Sequence, residues 1–242
     1  MPGTAQPANA VRAITGQKVS AVDLVTAEIR RAILVGALAP GQQFGIAELG
    51  EQLGVSHIPV REALRRLEGQ GLIVLKPARR AAVAELTSED LQGIYGLRLL
   101  IEPELAARSV PLHSGRELDD LSATVDGMAQ RDPEVVWQLH RRFHLSIVTP
   151  AASQWDMRTL DQLWAAAERY TRLVFDFADA TRTEQDHRVD VHREICEAIR
   201  ARDKRSVRGA VRSHLQDNET ALLHQIAAVE HRRTPALGRA LA

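Results

Sequence analysis

The chain has 242 residues, a formal net charge of zero at neutral pH, 4% aromatic residues and a single cysteine, Cys196. One cysteine excludes an intrachain disulfide and a metal site built from several thiolates, and no apolar run approaches the roughly 18 residues of a membrane span. The N-terminus also lacks the charged-then-apolar order of a secretory signal, so we expect a cytoplasmic protein.

Charge is distributed unevenly along the chain. The first 86 residues carry 10 Lys and Arg against 7 Asp and Glu, which leaves a small acidic excess in the remainder. A basic excess of this size fits either a phosphate-binding surface or an ordinary solvated face. The length accommodates two domains, and abundant Ala, Leu, Val, Arg and Glu favour packed helices over sheets.

The first predicted helix begins after Ser20, a residue type that caps helix N-termini, and ends before Gly36. Its apolar residues recur with helical spacing, which predicts one buried stripe. That stripe comprises Leu24, Val25, Ile29 and Ile33.

Two further helices follow the turn at Pro40-Gly41. A short one extends over 46–53 and is closed by Gly54; the next is capped by Ser56 and extends to Gln70. The inward face of this third helix is predicted to be formed by Val60, Ala63, Leu64 and Leu67.

Short apolar runs at 72–75 and 81–86 flank a polar tip, which predicts a β-hairpin. The tip carries three cations: Lys76, Arg79 and Arg80. Three helices followed by such a hairpin predict a winged helix-turn-helix, in which the hairpin cations hold phosphates or enter the minor groove.

The outward face of the third helix is the predicted DNA-reading surface. Arg61 has the length and the fork geometry to pair with guanine O6 and N7, and Pro59 stiffens the first turn. The remaining residues of this surface are Ser56, His57, Ile58 and Arg65. The alternative is a protein-interaction module whose arginines form only a solvated face.

From Thr87 or Ser88 onward the pattern changes to long helices, interrupted at 111–115, 132–133, 150–153 and 180–183. We expect six helices in an antiparallel bundle. The complete prediction is a mainly α protein with a flexible tail at 1–18, a winged helix-turn-helix domain at 19–86, an all-α domain at 87–230 and a flexible tail at 231–242.

Four histidines occupy positions of the helical pattern where apolar residues are expected: His140, His144, His192 and His214. The first two are four residues apart and share one helix face, as two ligands of one metal do. Several imidazoles facing one core are costly to bury unless something binds them, so we predict a metal site. Cys196 follows His192 by four residues and is either a small packing residue or a further ligand.

Arg98 also interrupts an apolar stripe, that of the helix from Ser88 to Arg108. A buried guanidinium needs an anion. Two candidates remain open: Glu102, four residues further along, and a small carboxylate ligand held jointly by Arg98 and the metal. Asn218, one turn beyond His214, is a weaker candidate for the same pocket.

Residues 19–86 resemble the DNA-binding domain of GntR-type bacterial transcription regulators. The resemblance rests on GALAPGQ, ELGEQLGVS, PVREALRRLEGQGLI and KPARRAAV. It implies that Arg61 contacts bases. This chain departs from the family at His57-Ile58, where Arg-Thr is usual, and at Arg80, where glycine is usual at the wing tip.

Residues 87–230 resemble the all-helical effector-binding domain, called FCD, of the FadR-like branch of that family. The similar segments are Phe143-His144, VHREICEAI around His192 and SHL around His214. The resemblance implies a divalent metal bound by one acidic residue and three histidines, an arginine at the place of Arg98, and small organic acids as effectors. Here His140 stands where the acid is usual, and four imidazoles favour Zn or Ni.

The sequence thus predicts a homodimeric, ligand-responsive transcription regulator, a repressor, that binds double-stranded operator DNA and senses a small carboxylate. Two alternatives remain: a metal-dependent, hydrolase-like enzyme, since an ion held by three histidines can activate water, and a DNA-binding protein whose metal is purely structural.

Overall fold

The computed structural model describes residues 20–130, 132–174 and 182–237, and this part of the chain is mainly helical. The N-terminal helices are α1 (Ala21–Leu34), α2 (Ile46–Leu53) and α3 (His57–Glu68). Six further helices follow: α4 (Ser88–Ser109), α5 (Gly115–Gly127), α6 (Pro133–Val148), α7 (Gln154–Val174), α8 (Arg182–Arg200) and α9 (Lys204–Leu237). The predicted fold class, a winged helix-turn-helix followed by an all-α domain, is confirmed.

The three N-terminal helices bury the stripes predicted from their spacing, with one exception. Val25, Ile29 and Ile33 of α1 are buried, whereas Leu24 is 60% exposed, so its assignment to the stripe was wrong. Buried positions spaced by four residues leave their immediate neighbour about 100° around the helix, on the flank. All four predicted inward residues of α3 are completely buried.

Helix α3 is shorter than predicted, because it ends at Glu68 and not at Gln70. Glycines follow at 69 and 71, and Gly71 adopts a positive φ of 68°, a conformation that leaves the helix. Between α2 and α3, Gly54 adopts the left-handed conformation, and its backbone N–H closes α2. This turn sets the angle between the two helices.

The wing is a three-stranded antiparallel sheet in the order β1-β3-β2. Strands β2 (Ile73–Lys76) and β3 (Arg80–Val83) form the predicted hairpin, with Lys76 opposite Arg80. Strand β1 (Gln43–Gly45) was not predicted from the sequence; it pairs with the other edge of β3. The backbone N–H of Ile46, the first residue of α2, also donates to the carbonyl of Arg79, so the hairpin is tied to the helices.

The C-terminal bundle begins at a cap on α4, where the Thr87 side chain accepts from the backbone N–H of Asp90. Ser114 and Glu117 form a reciprocal capping box on α5, and Asp132 caps α6. These starts follow the predicted interruptions. One turn between α8 and α9 was missed, since it contains neither Gly nor Pro and depends on Arg202 at a φ of 59°.

Helix α7 contacts the segment that joins the two helical regions. The guanidinium of Arg169 donates to the carbonyl of Ala84 over 3.3 Å. The Tyr170 hydroxyl is 3.3 Å from both the backbone N–H and the carbonyl of Thr87. The connection between wing and bundle therefore lies against the same helix that forms one wall of the cavity described below.

Among the described helices, none is both long enough and apolar enough to cross a membrane. The predicted tail at 1–18 lies outside the described residues. Helix α9 continues past residue 230 to Leu237, into the segment predicted as the second tail, and the residues from 238 onward lie outside the description.

Candidate functional site: a histidine cluster beneath a DNA-binding head

The predicted DNA-reading residues form the start of α3. His57 and Arg65 are exposed, Ile58 is 65% exposed, and Arg61 and Pro59 are half-buried. Arg65 pairs with Glu62 over 3.0 Å at the surface. Ser56 occupies the N-cap position as predicted, but its side chain makes no capping hydrogen bond.

The wing presents its three cations to solvent. Lys76, Arg79 and Arg80 are all exposed, and the tight turn between the strands places Ala78 and Arg79 at positive φ values of 58° and 59°. Residues other than glycine rarely adopt this conformation. An exposed basic hairpin and an exposed face of α3 are the two kinds of surface that winged helices use to contact DNA.

The four predicted histidines come together inside the bundle. His140 and His144 extend from α6, His192 from α8 and His214 from α9, and one potential ligand atom from each lies within 4.8 Å of those of the others. The Nε2 atoms of His144 and His214 are 3.2 Å apart. His144, His192 and His214 are buried, and His140 is half-buried at the wall of a cavity.

His192 has the orientation of a metal ligand. Its Nδ1 is 2.7 Å from the carbonyl of Arg188, so Nδ1 carries the proton and the lone pair lies on Nε2. That Nε2 is buried and makes no hydrogen bond within the described part of the chain. A buried, unsatisfied nitrogen surrounded by three other imidazoles fits a bound cation.

The electrostatics of the cluster favour the neutral form of three of its imidazoles, those of His140, His192 and His214. Burial, reinforced by the neighbouring histidines, lowers the pKa of His192 to about 3. Burial and the same neighbours hold the pKa of His140 and His214 well below the ordinary histidine value. Metals bind the neutral form of imidazole, so the site is ready for a cation at neutral pH.

Arg98 is buried beside the cluster, and Glu102 is its partner. Nε of Arg98 donates to Oε1 of Glu102 over 2.6 Å, and Nη2 to Oε2 over 3.4 Å. Burial raises the pKa of Glu102, but the charge of Arg98 and the contact with His144 outweigh it and bring the pKa to about 2. The sequence left two anionic partners open for Arg98, Glu102 and a small carboxylate ligand. In the structure Arg98 pairs with Glu102, and its guanidinium also lines a cavity.

That cavity has a volume of about 190 Å³ and opens between α4, α6 and α7. Cavities near 150 Å³ hold molecules the size of benzene, so the space suits a small ligand. Its wall includes a guanidinium, two of the four imidazoles and two indoles: Arg98, His140, His144, Trp137 and Trp164. At its outer edge Arg172 pairs with Glu134 over 3.0 Å and with Glu168 over 2.9 Å.

Two weaker candidates are resolved by their contacts. Asn218 extends its side-chain Nδ2 to within 3.2 Å of Nε2 of His214, so it contacts an imidazole of the cluster. Cys196 is buried in the hydrophobic core, where burial raises the pKa of its thiol to about 12. Its role is packing, because metals bind the thiolate.

Two contacts of the site were not anticipated from the sequence. Oε2 of Glu102 lies 3.5 Å from Nδ1 of His144, and the indole N–H of Trp164 donates to Oε1 of Glu102 over 2.9 Å. Both join residues far apart in the chain. The only sequence signal was the acidic residue on the inward face of α4.

Comparisons with known proteins agree with this architecture. Residues 22–83 match the gntR family of bacterial regulatory proteins, and residues 93–217 match the FCD domain. The transcriptional regulator McbR of Escherichia coli is 26% identical over 202 residues, which are 82% of this chain and 90% of that protein. The E. coli transcriptional repressor RspR is 25% identical over 193 residues, which are 78% and 83% of the two chains.

The solved structure of E. coli McbR/YncC superimposes with a TM-score of 0.72 at 25% identity, over 86% of this chain and 99% of that one. These relatives are transcription regulators and not enzymes. The FCD match alone spans more than half of the chain. The chain therefore belongs to the GntR family of bacterial regulatory proteins, as a DNA-binding transcription regulator with an FCD domain.

Proposed function

We propose that this regulator is a cytoplasmic, homodimeric repressor that binds operator DNA and is released by a small organic acid held at a metal in its helical domain. One observation carries the proposal: four imidazoles converge beside the buried guanidinium of Arg98, at the wall of a cavity of about 190 Å³. A cation and a guanidinium facing one small cavity favour a carboxylate over an apolar ligand.

The proposed metal ligands are the four histidines His140, His144, His192 and His214. A set of imidazoles without a carboxylate suits Zn²⁺ or Ni²⁺ better than hard cations such as Mg²⁺. When bound, the ion would supply positive charge that attracts a carboxylate in the cavity. Arg98 is the proposed main contact of the carboxylate, and Asn218, whose Nδ2 lies 3.2 Å from Nε2 of His214, is a second proposed contact of the acid.

The proposed DNA contacts divide into base reading and backbone binding. Arg61 reads a base from the start of α3, together with His57 and Arg65, while Ser56, Ile58 and Pro59 shape the surface that enters the groove. Lys76, Arg79 and Arg80 bind phosphates from the wing. In a homodimer, two such heads read the halves of a pseudo-palindromic operator.

The two domains are proposed to meet at 86/87, with bounds of 19–86 and 87–230. Two separate buried clusters support this division, one within 25–83 and one that begins at Leu91. Helix α7 is the proposed route between them. Trp164 of this helix donates to Glu102 in the site, and one turn further along Arg169 and Tyr170 contact the segment 84–87.

A ligand acts on DNA binding only if it prefers one arrangement of the two domains. By the same linkage, operator DNA must then change the affinity for the ligand by the same factor. The test begins with selection of an operator from random duplexes. Its affinity is then measured with Zn²⁺-loaded protein against a panel of small mono- and dicarboxylates. We expect at least one acid to weaken operator binding about 5–150-fold. Acids that fill the cavity without moving operator affinity would refute the proposal.

A purely structural metal is the alternative that the same site favours, because the cluster joins three helices. The structural-metal alternative and the proposed function predict different behaviour for one variant, His144→Ala. If the metal only holds the helices together, His144→Ala lowers the melting temperature and leaves every ligand response unchanged. If the proposal holds, the same variant loses the acid response at temperatures where it is fully folded.

A further inference from the structure

We propose that Glu102 is a positioning residue of the site. Its buried carboxylate orients the proposed metal ligand His144. The carboxylate oxygen that faces His144 also determines whether an N–H of Arg98 is free to bind an anion. The inference rests on the proposed function, since it needs a cation at the histidines. It assigns a role to a side chain that otherwise serves only as an ion-pair partner.

The first observation is the isolation of this carboxylate. Glu102 is completely buried in α4, and its Oε1 already accepts two hydrogen bonds, from Nε of Arg98 over 2.6 Å and from Nε1 of Trp164 over 2.9 Å. Those two donors fix the plane of the carboxylate. Its second oxygen, Oε2, is therefore held in one direction, toward α6.

The second observation is what Oε2 meets there. It accepts a long hydrogen bond of 3.4 Å from Nη2 of Arg98, and Nδ1 of His144 lies 3.5 Å from it without forming a hydrogen bond. Nδ1 of His144 is buried and has no hydrogen-bond partner among the described residues, and Oε2 of Glu102 is a carboxylate oxygen at 3.5 Å from it. The carboxylate is thus the acceptor available to an Nδ1 proton.

The tautomer of His144 follows from these contacts. With the proton on Nδ1, facing Glu102, the lone pair of Nε2 is directed at the cluster, where Nε2 of His214 is 3.2 Å away. A carboxylate behind a metal-bound imidazole fixes the ring, selects the tautomer and raises the basicity of the ligand. Glu102 stands in that relation to His144.

Oε2 of Glu102 links the proposed metal site at His144 to the proposed anion site at Arg98. With a cation held by Nε2, the Nδ1 proton of His144 would be a stronger donor, and Oε2 of Glu102 would move toward the imidazole and away from Nη2 of Arg98. The released N–H of Arg98 then faces the cavity, where a carboxylate can accept it. Metal and anion therefore bind with positive coupling, and the coupling passes through one oxygen atom.

The test compares Glu102→Gln with Glu104→Gln. Glu104 makes a matched control, because it lies on the same helix and pairs with an arginine, Arg208, over 2.8 Å, but at the exposed surface. The glutamine carbonyl at 102 stays with its two donors, Arg98 and Trp164, so its NH₂ group faces Nδ1 of His144. This favours the wrong tautomer, with the proton on Nε2.

Two readouts are used: Zn²⁺ affinity, by competition with a chromophoric chelator, and the tautomer of His144, by long-range ¹H–¹⁵N NMR of the metal-free protein. We expect Zn²⁺ to bind Glu102→Gln about 10–100-fold more weakly, and Glu104→Gln to match the wild type. In the wild type, His144 is protonated on Nδ1; in Glu102→Gln the proton moves to Nε2.

The outcomes separate this inference from the proposed function. Wild-type protein that fails to bind Zn²⁺ removes the proposed metal site itself. Two results would overturn only the role of Glu102, in a wild-type protein that does bind Zn²⁺. One is a His144 protonated on Nε2 in the wild type, and the other is a Zn²⁺ affinity of Glu102→Gln equal to that of the wild type. If the glutamine variant does not fold, Glu102→Asp, which keeps the charge but shortens the reach, replaces it, and the wild-type tautomer decides alone.

Discussion

Nε2 of His144 and Nε2 of His214 lie 3.2 Å apart, although 70 residues separate them along the chain. Two nitrogens bound to one tetrahedral Zn²⁺ at about 2.0–2.1 Å lie about 3.3 Å from each other. The bundle therefore sets this pair at the separation of two ligands of one ion.

His144 is a proposed ligand of the metal, so His144→Ala should weaken Zn²⁺ binding by more than the roughly 10–100-fold that loss of an outer partner costs. Competition with a chromophoric chelator measures it. His224→Ala is the control, because His224 is exposed on α9, the helix that also carries His214. Equal affinity in both variants would place the metal elsewhere.

The metal-free protein should lose stability as the pH falls from 7.5 to 5.5. Burial depresses the pKa of His140, His192 and His214, as it does that of His113 elsewhere in the bundle. The unfolded chain binds protons below about pH 6.5 that the folded chain cannot take up, so the free energy of unfolding falls by up to about 1.4 kcal/mol per pH unit for each such histidine.

Urea unfolding at several pH values checks this. His192→Gln should reduce the pH dependence by about one proton, since in the folded state His192 takes up its proton only near pH 3. A stability that does not change with pH across this range would show that the imidazoles are solvated.

On DNA, Arg61→Ala should cost about 1–3 kcal/mol of specific binding and relax the preference for one base pair. Arg66→Ala is the matched control, because Arg66 lies on the same helix but pairs with Asp23 of α1 over 2.6 Å. Binding to a set of operators that differ at single positions gives the readout. A uniform loss across all of them would mean that Arg61 binds only phosphate.

In contrast, Arg80→Ala on the wing should act through charge alone. Loss of one phosphate contact lowers the slope of log affinity against log salt by about 0.9 and leaves the base preference unchanged. Titrations at several salt concentrations measure the slope. An altered sequence preference without a change in slope would assign Arg80 to base reading.

Coupling through α7 predicts that Tyr170→Phe, which removes the hydroxyl beside Thr87, reduces the effect of an active acid on operator affinity. The affinity for the operator without acid, and the affinity for the acid without operator, should each change little. Thr159→Ala is the control, since that exposed hydroxyl on α7 bonds only within the helix, to the carbonyl of Trp155. An unchanged coupling in Tyr170→Phe would exclude this route.

Local patterns predicted most of the helices and the histidine cluster. Apolar residues at helical spacing gave the buried faces, and His140 and His144 were visible because they interrupted such a face four residues apart. Glycine, proline and capping residues gave most of the boundaries.

The features that were missed depend on tertiary contacts or on backbone geometry. Strand β1 is three residues long and exists because β3 offers it an edge. The turn at Arg202 forms without a helix-breaking residue; its guanidinium donates to carbonyls of Val110 and His113, which hold it in place. The approach of Glu102 to His144 joins α4 to α6, and no periodicity along one helix encodes it.

Strand β1 has one further consequence. Strand β1 pairs with the edge of β3 opposite β2, and the backbone N–H of Ile46 donates to the carbonyl of Arg79. The basic tip of the hairpin is therefore held in place relative to the helices before DNA binds. Immobilising a loose loop on association costs free energy, so a hairpin that is already fixed forfeits less entropy when it docks. The head can therefore engage its site as a rigid body, and a shift at its base reaches both contact surfaces together.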